Sequence, residues 1–170
     1  MAKSVDWTMG IGLDVRGCVA RVERFQRPWE ETITAIVQAT RSTPALVDST
    51  GVGDPVLEAL QTRGRQVGGR FEGFHFSATS KQQLMEGLAV AIQQQQIHFP
   101  AGVIVNELEA FEYEYTRAGV RYSAPAGLHD DAVCALALAC SAVRQHTGDP
   151  YADKRRAREA AGGVGPEHWG

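Results

Sequence analysis

Three acidic residues occupy positions from which they could do chemistry together. Asp48 ends the short apolar run Pro44-Ala-Leu-Val, and Asp130 and Asp131 open a long apolar segment with the pattern of a buried helix. Acids at the carboxyl ends of strands face the ligand crevice of open α/β sheets, and converging carboxylates can hold Mg²⁺ or Mn²⁺. A pair of such ions about 4 Å apart stabilises the attacking and leaving oxygens when a phosphodiester is hydrolysed.

These positions also admit a structural explanation. Asp at the start of a helix is commonly a cap, and Asp before Ser-Thr-Gly commonly forms a turn. Position alone favours that explanation over a metal site. Two neighbours are equally ambiguous: Lys81 is either a surface charge or a group that approaches the site or a DNA backbone, and His129 either caps a helix or orients an acid or contacts a metal.

Hydrophobic periodicity predicts the elements that must position the acids. A β-hairpin is expected over residues 7–13 and 18–25, with Trp7 in the core together with Trp29 and Phe111. The remaining predicted elements are helices over 29–40, 56–63, from Thr79 or Ser80 to the glutamine run 93–96, 103–115 and 129–144, and strands over 44–48, within 67–76 and over 120–123. The order predicts an α/β domain in which helices cover a sheet.

Length and charge limit the possible organisation. The chain has 170 residues, 44% of them hydrophobic, which suits one domain over 1–145 followed by a flexible mixed-charge tail over 146–170. The formal net charge of -3 provides no global positive field of the kind that marks many nucleic-acid binders. A DNA partner would have to be held by local groups or bridging metal ions.

The cysteines and the lengths of the apolar runs indicate the cellular compartment of the protein. Cys18, Cys134 and Cys140 show neither metal-ligand spacing nor a disulfide framework, which favours a reducing cytoplasm. No apolar run is long enough to span a bilayer, and the first residues lack the pattern of a signal peptide. We therefore expect a cytoplasmic protein with no membrane partner.

Four segments together resemble the C-terminal nuclease domain of phage large terminases. They are Val47-Asp-Ser-Thr-Gly-Val-Gly-Asp-Pro-Val56, Ser80-Lys-Gln-Gln-Leu84 with the later Ile97-His-Phe-Pro100, Glu107-Leu-Glu-Ala-Phe-Glu112, and Ala124-Pro-Ala-Gly-Leu-His-Asp-Asp-Ala-Val-Cys-Ala-Leu-Ala-Leu138. The resemblance implies an RNase H-like or integrase-like fold, a mixed sheet flanked by helices. It also implies a Mg²⁺- or Mn²⁺-dependent endonuclease that cuts double-stranded DNA by two-metal chemistry in the bacterial host cell. Portal or procapsid and a small terminase subunit are the implied partners.

The resemblance assigns roles residue by residue. Asp48 matches the second-strand carboxylate of the family, Asp130 and Asp131 match its third acidic position, and Lys81 matches a Ser-Lys position. Two alignments compete for the first-strand carboxylate. In one, Gly12-Leu-Asp14 is the first-strand motif and Asp14 is a metal ligand. In the other, which we prefer, Asp6-Trp-Thr opens the second strand, Asp6 is an auxiliary loop acid, and Asp14 belongs to a hairpin turn.

The preferred alignment leaves this chain without the family's first strand and its carboxylate, so it predicts N-terminal truncation. A phosphate-binding Gly-x-x-x-x-Gly-Lys motif of the family's ATPase domain is also missing from the sequence. We therefore expect weak or no DNA cleavage by the chain as given. The alternative function is an inactive prophage remnant, or a DNA- or capsid-docking module that keeps the fold without catalysis.

Overall fold

A computed structural model describes residues 7–51, 54–116, 119–125 and 128–147. Asp6 and most of the predicted tail lie outside these ranges. Within them the elements follow one another as β1 (Thr8–Leu13), β2 (Val19–Phe25), α1 (Trp29–Thr40), β3 (Pro44–Asp48), α2 (Asp54–Gln66), β4 (Arg70–Phe74), α3 (Ala78–Gln93), α4 (Val103–Ala110), β5 (Glu112–Thr116), β6 (Gly119–Ser123) and α5 (Asp131–Thr147).

The strands of this α/β fold form three separate pairs. β1 and β2 are antiparallel, β3 and β4 are parallel with Asp48 opposite Phe74, and β5 and β6 form an antiparallel hairpin. The predicted α/β class, with helices flanking the strands, is confirmed. Across the described residues, however, β1 and β3 share no hydrogen-bonded ladder, so the strands do not make one continuous sheet.

Helix α5 is the centre of the larger core. Ala132, Val133, Leu136 and Ala137 are at most 1% exposed, as expected for a segment that is apolar on most sides. Residues of β1, β3, α3 and α4 pack against this cluster. A smaller core lies on the other face of β3 and β4, where α1 and α2 bury their apolar stripes. None of the helices in the described ranges has the length and apolar character needed to cross a bilayer.

The predicted length of one helix and the predicted burial of two tryptophans were wrong. The helix expected over 103–115 ends at Ala110, and Glu112–Thr116 form β5 instead. The alternation Glu-Tyr-Glu-Tyr-Thr suits a strand, and pairing with β6 satisfies its backbone groups, so the hairpin overrides the helical pattern. Trp7 and Trp29 are 42% and 55% exposed and do not belong to the core, whereas Phe111 packs against it.

The start of α3 sets the position of Lys81 in its first turn. The cap is Ser77, not Thr79 or Ser80: its hydroxyl accepts a hydrogen bond from the Ser80 N–H at 3.1 Å. The Ser80 hydroxyl in turn accepts from the Ser77 N–H at 2.7 Å. This reciprocal arrangement satisfies two N–H groups that lack intrahelical partners, and it defines where the helix begins.

The start of α5 is held by a buried carboxylate from α4. Glu107 is charged but only 8% exposed. Its Oε2 accepts a hydrogen bond from the Ala132 N–H at 2.6 Å. N–H groups in the first turn of a helix have no partner within the helix, and negative charge is favourable at that end. Glu107 therefore positions the turn that carries Asp130 and Asp131.

Replacing Glu107 by Ala should lower the free energy of unfolding by about 1–3 kcal/mol, because it leaves the buried Ala132 N–H without an acceptor. Thermal or urea unfolding measures this loss. Glu109→Ala, in the same helix but exposed, is the matched control and should change stability by less than about 0.5 kcal/mol. Equal effects of the two substitutions would contradict the proposed role of Glu107.

Candidate metal centre

Asp48 lies at the carboxyl end of β3, where the chain leaves the sheet. The side chain is exposed, and its Oδ1 accepts a hydrogen bond from the Thr50 N–H at 2.8 Å. The Ser49 N–H donates to the Phe74 carbonyl at 3.0 Å, and the Thr50 hydroxyl accepts from the Phe76 N–H at 2.7 Å. The turn after β3 is thus tied to the end of β4 and to the residues after it, which holds Asp48 in place.

The second acidic group lies at the start of α5. Asp130 Oδ2 is 2.8 Å from the Lys81 Nζ, and both side chains are about one quarter exposed, at 28% and 26%. Asp131 Oδ2 is 3.7 Å from His129 Nδ1 at the more open side. Lys81 also lies 6.0 Å from the centre of the Phe111 ring. The partly desolvated lysine is therefore the cation that faces these acids.

The pKa of the Cys134 thiol is affected by both acidic groups. Burial raises the pKa of Cys134 to about 12, and the negative charges of Asp130, Asp131 and Asp48 raise it as well, while Lys81 opposes them. Leu46 of β3, two residues before Asp48, and Cys134 of α5 also pack against the same core cluster, so the two elements are close in space. The end of β3 and the start of α5 therefore lie on the same side of the core, near Cys134. The thiol itself stays protonated at neutral pH and is no metal ligand.

The donor chemistry of this convergence fits a hard divalent cation. Carboxylate oxygens are the ligands that Mg²⁺ and Mn²⁺ prefer. The number of ligands is smaller than a closed site needs, since within the described residues no three Asp, Glu, His or Cys side chains gather closely enough to hold one ion. The arrangement offers an open, partial set of oxygen ligands with a lysine beside it.

Asp14 has a different environment. It follows β1 in the hairpin turn, where its Oδ1 accepts from the Arg16 N–H at 2.9 Å and the Cys18 N–H at 2.8 Å, and Oδ2 contacts the Arg16 guanidinium at 3.2 Å. The hydrogen bond from Cys18, with the Arg16 contacts, holds the pKa of Asp14 below its usual range. This turn geometry is what the preferred alignment expects. The ligand role of Asp14 in the other alignment stays a hypothesis, as does the auxiliary role of Asp6, which lies outside the described residues.

Two residues of the site were not identified from the sequence. Glu107 belongs to one of the four segments that carry the resemblance, but its buried contact with α5 depends on how α4 crosses the start of that helix. Phe111 was assigned to the core, and its position beside Lys81 was not expected. The sequence signal that could have predicted the burial of Glu107 is its position three residues after Ile104, which places both on one face of the helix. Ile104 is buried.

Among known proteins, matches to this chain were found in the comparison with solved structures. Neither models of protein families nor curated proteins match the chain. The large terminase nuclease of thermophilic phage G20c with bound magnesium matches with a TM-score of 0.72 and 28% identity, over 83% of this chain and 77% of that one. The cobalt-bound form matches with a TM-score of 0.68 and 27% identity, over 80% and 81%.

A further match shows the fold alone. The large terminase nuclease domain of Thermus phage P74-26 has a TM-score of 0.64 at 23% identity, over 78% of this chain and 77% of that one. The RNase H-like, terminase-type fold expected from the sequence is confirmed. The chain thus has the fold of large-terminase nuclease domains and is similar in both structure and sequence to that of thermophilic phage G20c.

Proposed function

We propose that this chain is a metal-dependent DNA nuclease domain whose metal ligands are Asp48, Asp130 and Asp131. The observation that carries the proposal is that Asp48 ends a strand packed against the same core as the helix whose start carries Asp130 and Asp131. Two elements distant in sequence place exposed or half-exposed carboxylates on one side of the core, and such like charges repel one another although Asp130 is paired with Lys81. A bound cation would relieve that repulsion. The metal-bound nucleases with the same fold support this assignment.

Mg²⁺ or Mn²⁺ is the proposed cofactor, as a two-metal site. When bound, such ions activate a water molecule and stabilise the charge that develops on the phosphodiester oxygens. The residues of this chain supply the hard oxygen ligands and their orientation: the Thr50 N–H orients Asp48, and Glu107 holds the turn that carries Asp130 and Asp131. The ligands present are too few to close the site, so we expect low metal affinity and weak or no cleavage.

Double-stranded DNA is the proposed substrate. The large terminase nucleases that share the fold support a nucleic-acid substrate. A chain with net charge -3 would bind DNA through the metal ions, which carry the local positive charge. Lys81 is the described cation next to the acids and can reach a phosphate if a metal displaces it from Asp130. Portal or procapsid and a small terminase subunit remain proposed partners, and host cytoplasm the proposed location.

A non-catalytic docking module is the second candidate. The observation that favours it is the incomplete set of ligands among the described residues. This candidate keeps the fold and the DNA or capsid contacts, and needs no metal. It differs from the first candidate in one measurable property, the affinity for divalent cations.

Substituting any of the three acids by Asn should weaken Mn²⁺ binding at least about tenfold, as measured by isothermal titration calorimetry, because a carboxylate ligand is lost. Asn at position 48 still offers a carbonyl oxygen to the Thr50 N–H, so the turn is kept. Glu114→Gln, on the exposed face of β5, is the control and should bind Mn²⁺ like the parent. Unchanged binding by Asp48→Asn would favour the docking module.

Incubation of supercoiled plasmid with the purified chain and Mn²⁺ tests the catalytic part of the proposal. The expected result is slow nicking or none, and any nicking should disappear in Asp48→Asn. Because a ligand displaced by about 1 Å can cost on the order of a hundredfold in rate, an incomplete set predicts low activity. Robust cleavage that Asp14→Ala abolishes would show that the alignment with Asp14 as a ligand is correct.

Lys81→Met should strengthen Mn²⁺ binding about two- to fivefold, because it removes the cation that competes for Asp130 and keeps the apolar stem. The effect should shrink as salt concentration rises. Arg63→Met, which removes a distant ion pair with Glu30, is the control and should leave the affinity unchanged. Weaker binding by Lys81→Met would mean that the lysine holds the acids in the metal-binding arrangement.

A further inference from the structure

Four aromatic side chains on and beside the β5–β6 hairpin form a row. We call this row the aromatic track, and its members in order are Phe111, Tyr122, Tyr113 and Tyr115. Neighbouring ring centres in this order are 6.3, 6.3 and 5.7 Å apart. Aromatic rings interact favourably at these separations. The track is therefore continuous from one end to the other.

The strand register places the tyrosines of the track on one face of the hairpin. Tyr113 pairs with Tyr122 across the two strands, and Tyr115 follows Tyr113 by two residues, so all three side chains project from the same face. Glu114 pairs with Arg121, and both project from the opposite face. Among the described side chains of the hairpin, the face that carries the track has no charged group.

The exposure of the rings rises along the track. Phe111 and Tyr122 are half-buried and pack against the core cluster that α5 centres. Tyr113 is 64% exposed and Tyr115 is 79% exposed. Burial of apolar surface therefore explains the two inner rings but not the two outer ones. A paired strand holds the outer rings in place and leaves them open to solvent, as expected for residues that contact a ligand.

The inner end of the track lies beside the candidate metal centre. The Lys81 Nζ is 6.0 Å from the centre of the Phe111 ring and 2.8 Å from Asp130 Oδ2. The track thus leads from the acids to the exposed part of the hairpin. A DNA strand with a phosphodiester at these acids would have its neighbouring nucleotides beside the rings.

The charges around the track determine which part of a nucleotide it can contact. Burial raises the pKa of Tyr122, and the negative charge of Glu86 on α3 raises it further. A phosphate placed against the rings would be repelled by the same negative charge, whereas a nucleobase is neutral and flat. Stacking on an aromatic ring also tolerates any sequence, because every base has a π-face.

The geometry points to a base-stacking subsite: Tyr113 and Tyr115 stack on two unpaired bases of a DNA strand whose phosphodiester lies at the candidate metal centre. This inference rests on the proposed nuclease function and specifies a substrate whose strands are locally separated. Stacked bases in a duplex are parallel and about 3.4 Å apart along each strand. The Tyr113 and Tyr115 rings are 5.7 Å apart with 89° between their planes. They therefore cannot both stack on neighbouring bases of a duplex, and they suit bases that have separated.

Fluorescence anisotropy with a short labelled oligothymidylate strand tests the inference. Tyr113→Leu and Tyr115→Leu should each weaken binding about tenfold, because a stacking ring is lost. Tyr115→Phe keeps the ring and should bind like the parent chain. Trp29→Leu removes another exposed aromatic ring, on α1, and is the matched control variant, so its affinity should not change.

The matched control ligand is the same strand with an abasic site at every position. It keeps the phosphates and sugars and removes the bases, so it should bind at least about tenfold more weakly. Substitution of Tyr113 or Tyr115 should not change its affinity. All measurements contain EDTA and no divalent cation. A failure of the proposed metal site would therefore appear in the Mn²⁺ titrations and not in these binding curves.

Four outcomes would overturn the inference. Equal affinity for the base-bearing and abasic strands would mean that phosphates provide the binding. A loss in Tyr115→Phe as large as that in Tyr115→Leu would mean that the hydroxyl group and not the ring makes the contact. No binding of the strand by the parent chain would mean that the track is not a nucleic-acid subsite. Dimers in sedimentation velocity that Tyr115→Leu abolishes would mean that a second copy covers the rings.

Discussion

The hydrogen bond from the Ala132 N–H to the buried carboxylate of Glu107 is the contact on which the site depends. It fixes the first turn of α5, and that turn carries Asp130 and Asp131. The rest of α5 is buried against strands and helices on several sides, so its position defines the core as well. A buried carboxylate needs partners that compensate for its desolvation, and helix N–H groups provide them. The same bond that stabilises the core therefore sets the geometry of the acids.

Electrostatics then connects the two halves of the site. Asp48 comes from the sheet and Asp130 and Asp131 from α5, and all three raise the pKa of one buried thiol. Lys81 offsets part of this negative charge through its contact with Asp130. A site with three acids and one lysine has an excess of negative charge that a divalent cation would neutralise. The proposed nuclease function is therefore compatible with a net charge of -3, since the cation and not the chain would face the phosphates.

The parts of the fold that could be predicted are those with local signals. The apolar run before Asp48 and the nearly all-apolar segment after Asp131 define β3 and α5 directly. The burial of Glu107 could not be predicted, because it depends on contact between helices about 25 positions apart. β5 was missed because the helical pattern that starts at Val103 runs on to Tyr115. The alternation Glu-Tyr-Glu-Tyr within it also suits a strand, and pairing with β6 selects that structure. The absence of pairing between β1 and β3 in the described residues could not be predicted either, because strand pairing between distant segments leaves no local sequence pattern.

The central claim is that the end of β3 and the start of α5 bind one metal centre. Paramagnetic broadening of amide signals by substoichiometric Mn²⁺, followed by NMR, tests this most directly because it locates the ion without requiring activity. The account predicts that the amides of Ser49, Thr50 and Asp131 broaden together at low Mn²⁺, while those of Arg16 and Gly17 in the hairpin turn stay sharp. Broadening at the hairpin turn without broadening at Thr50 would contradict it.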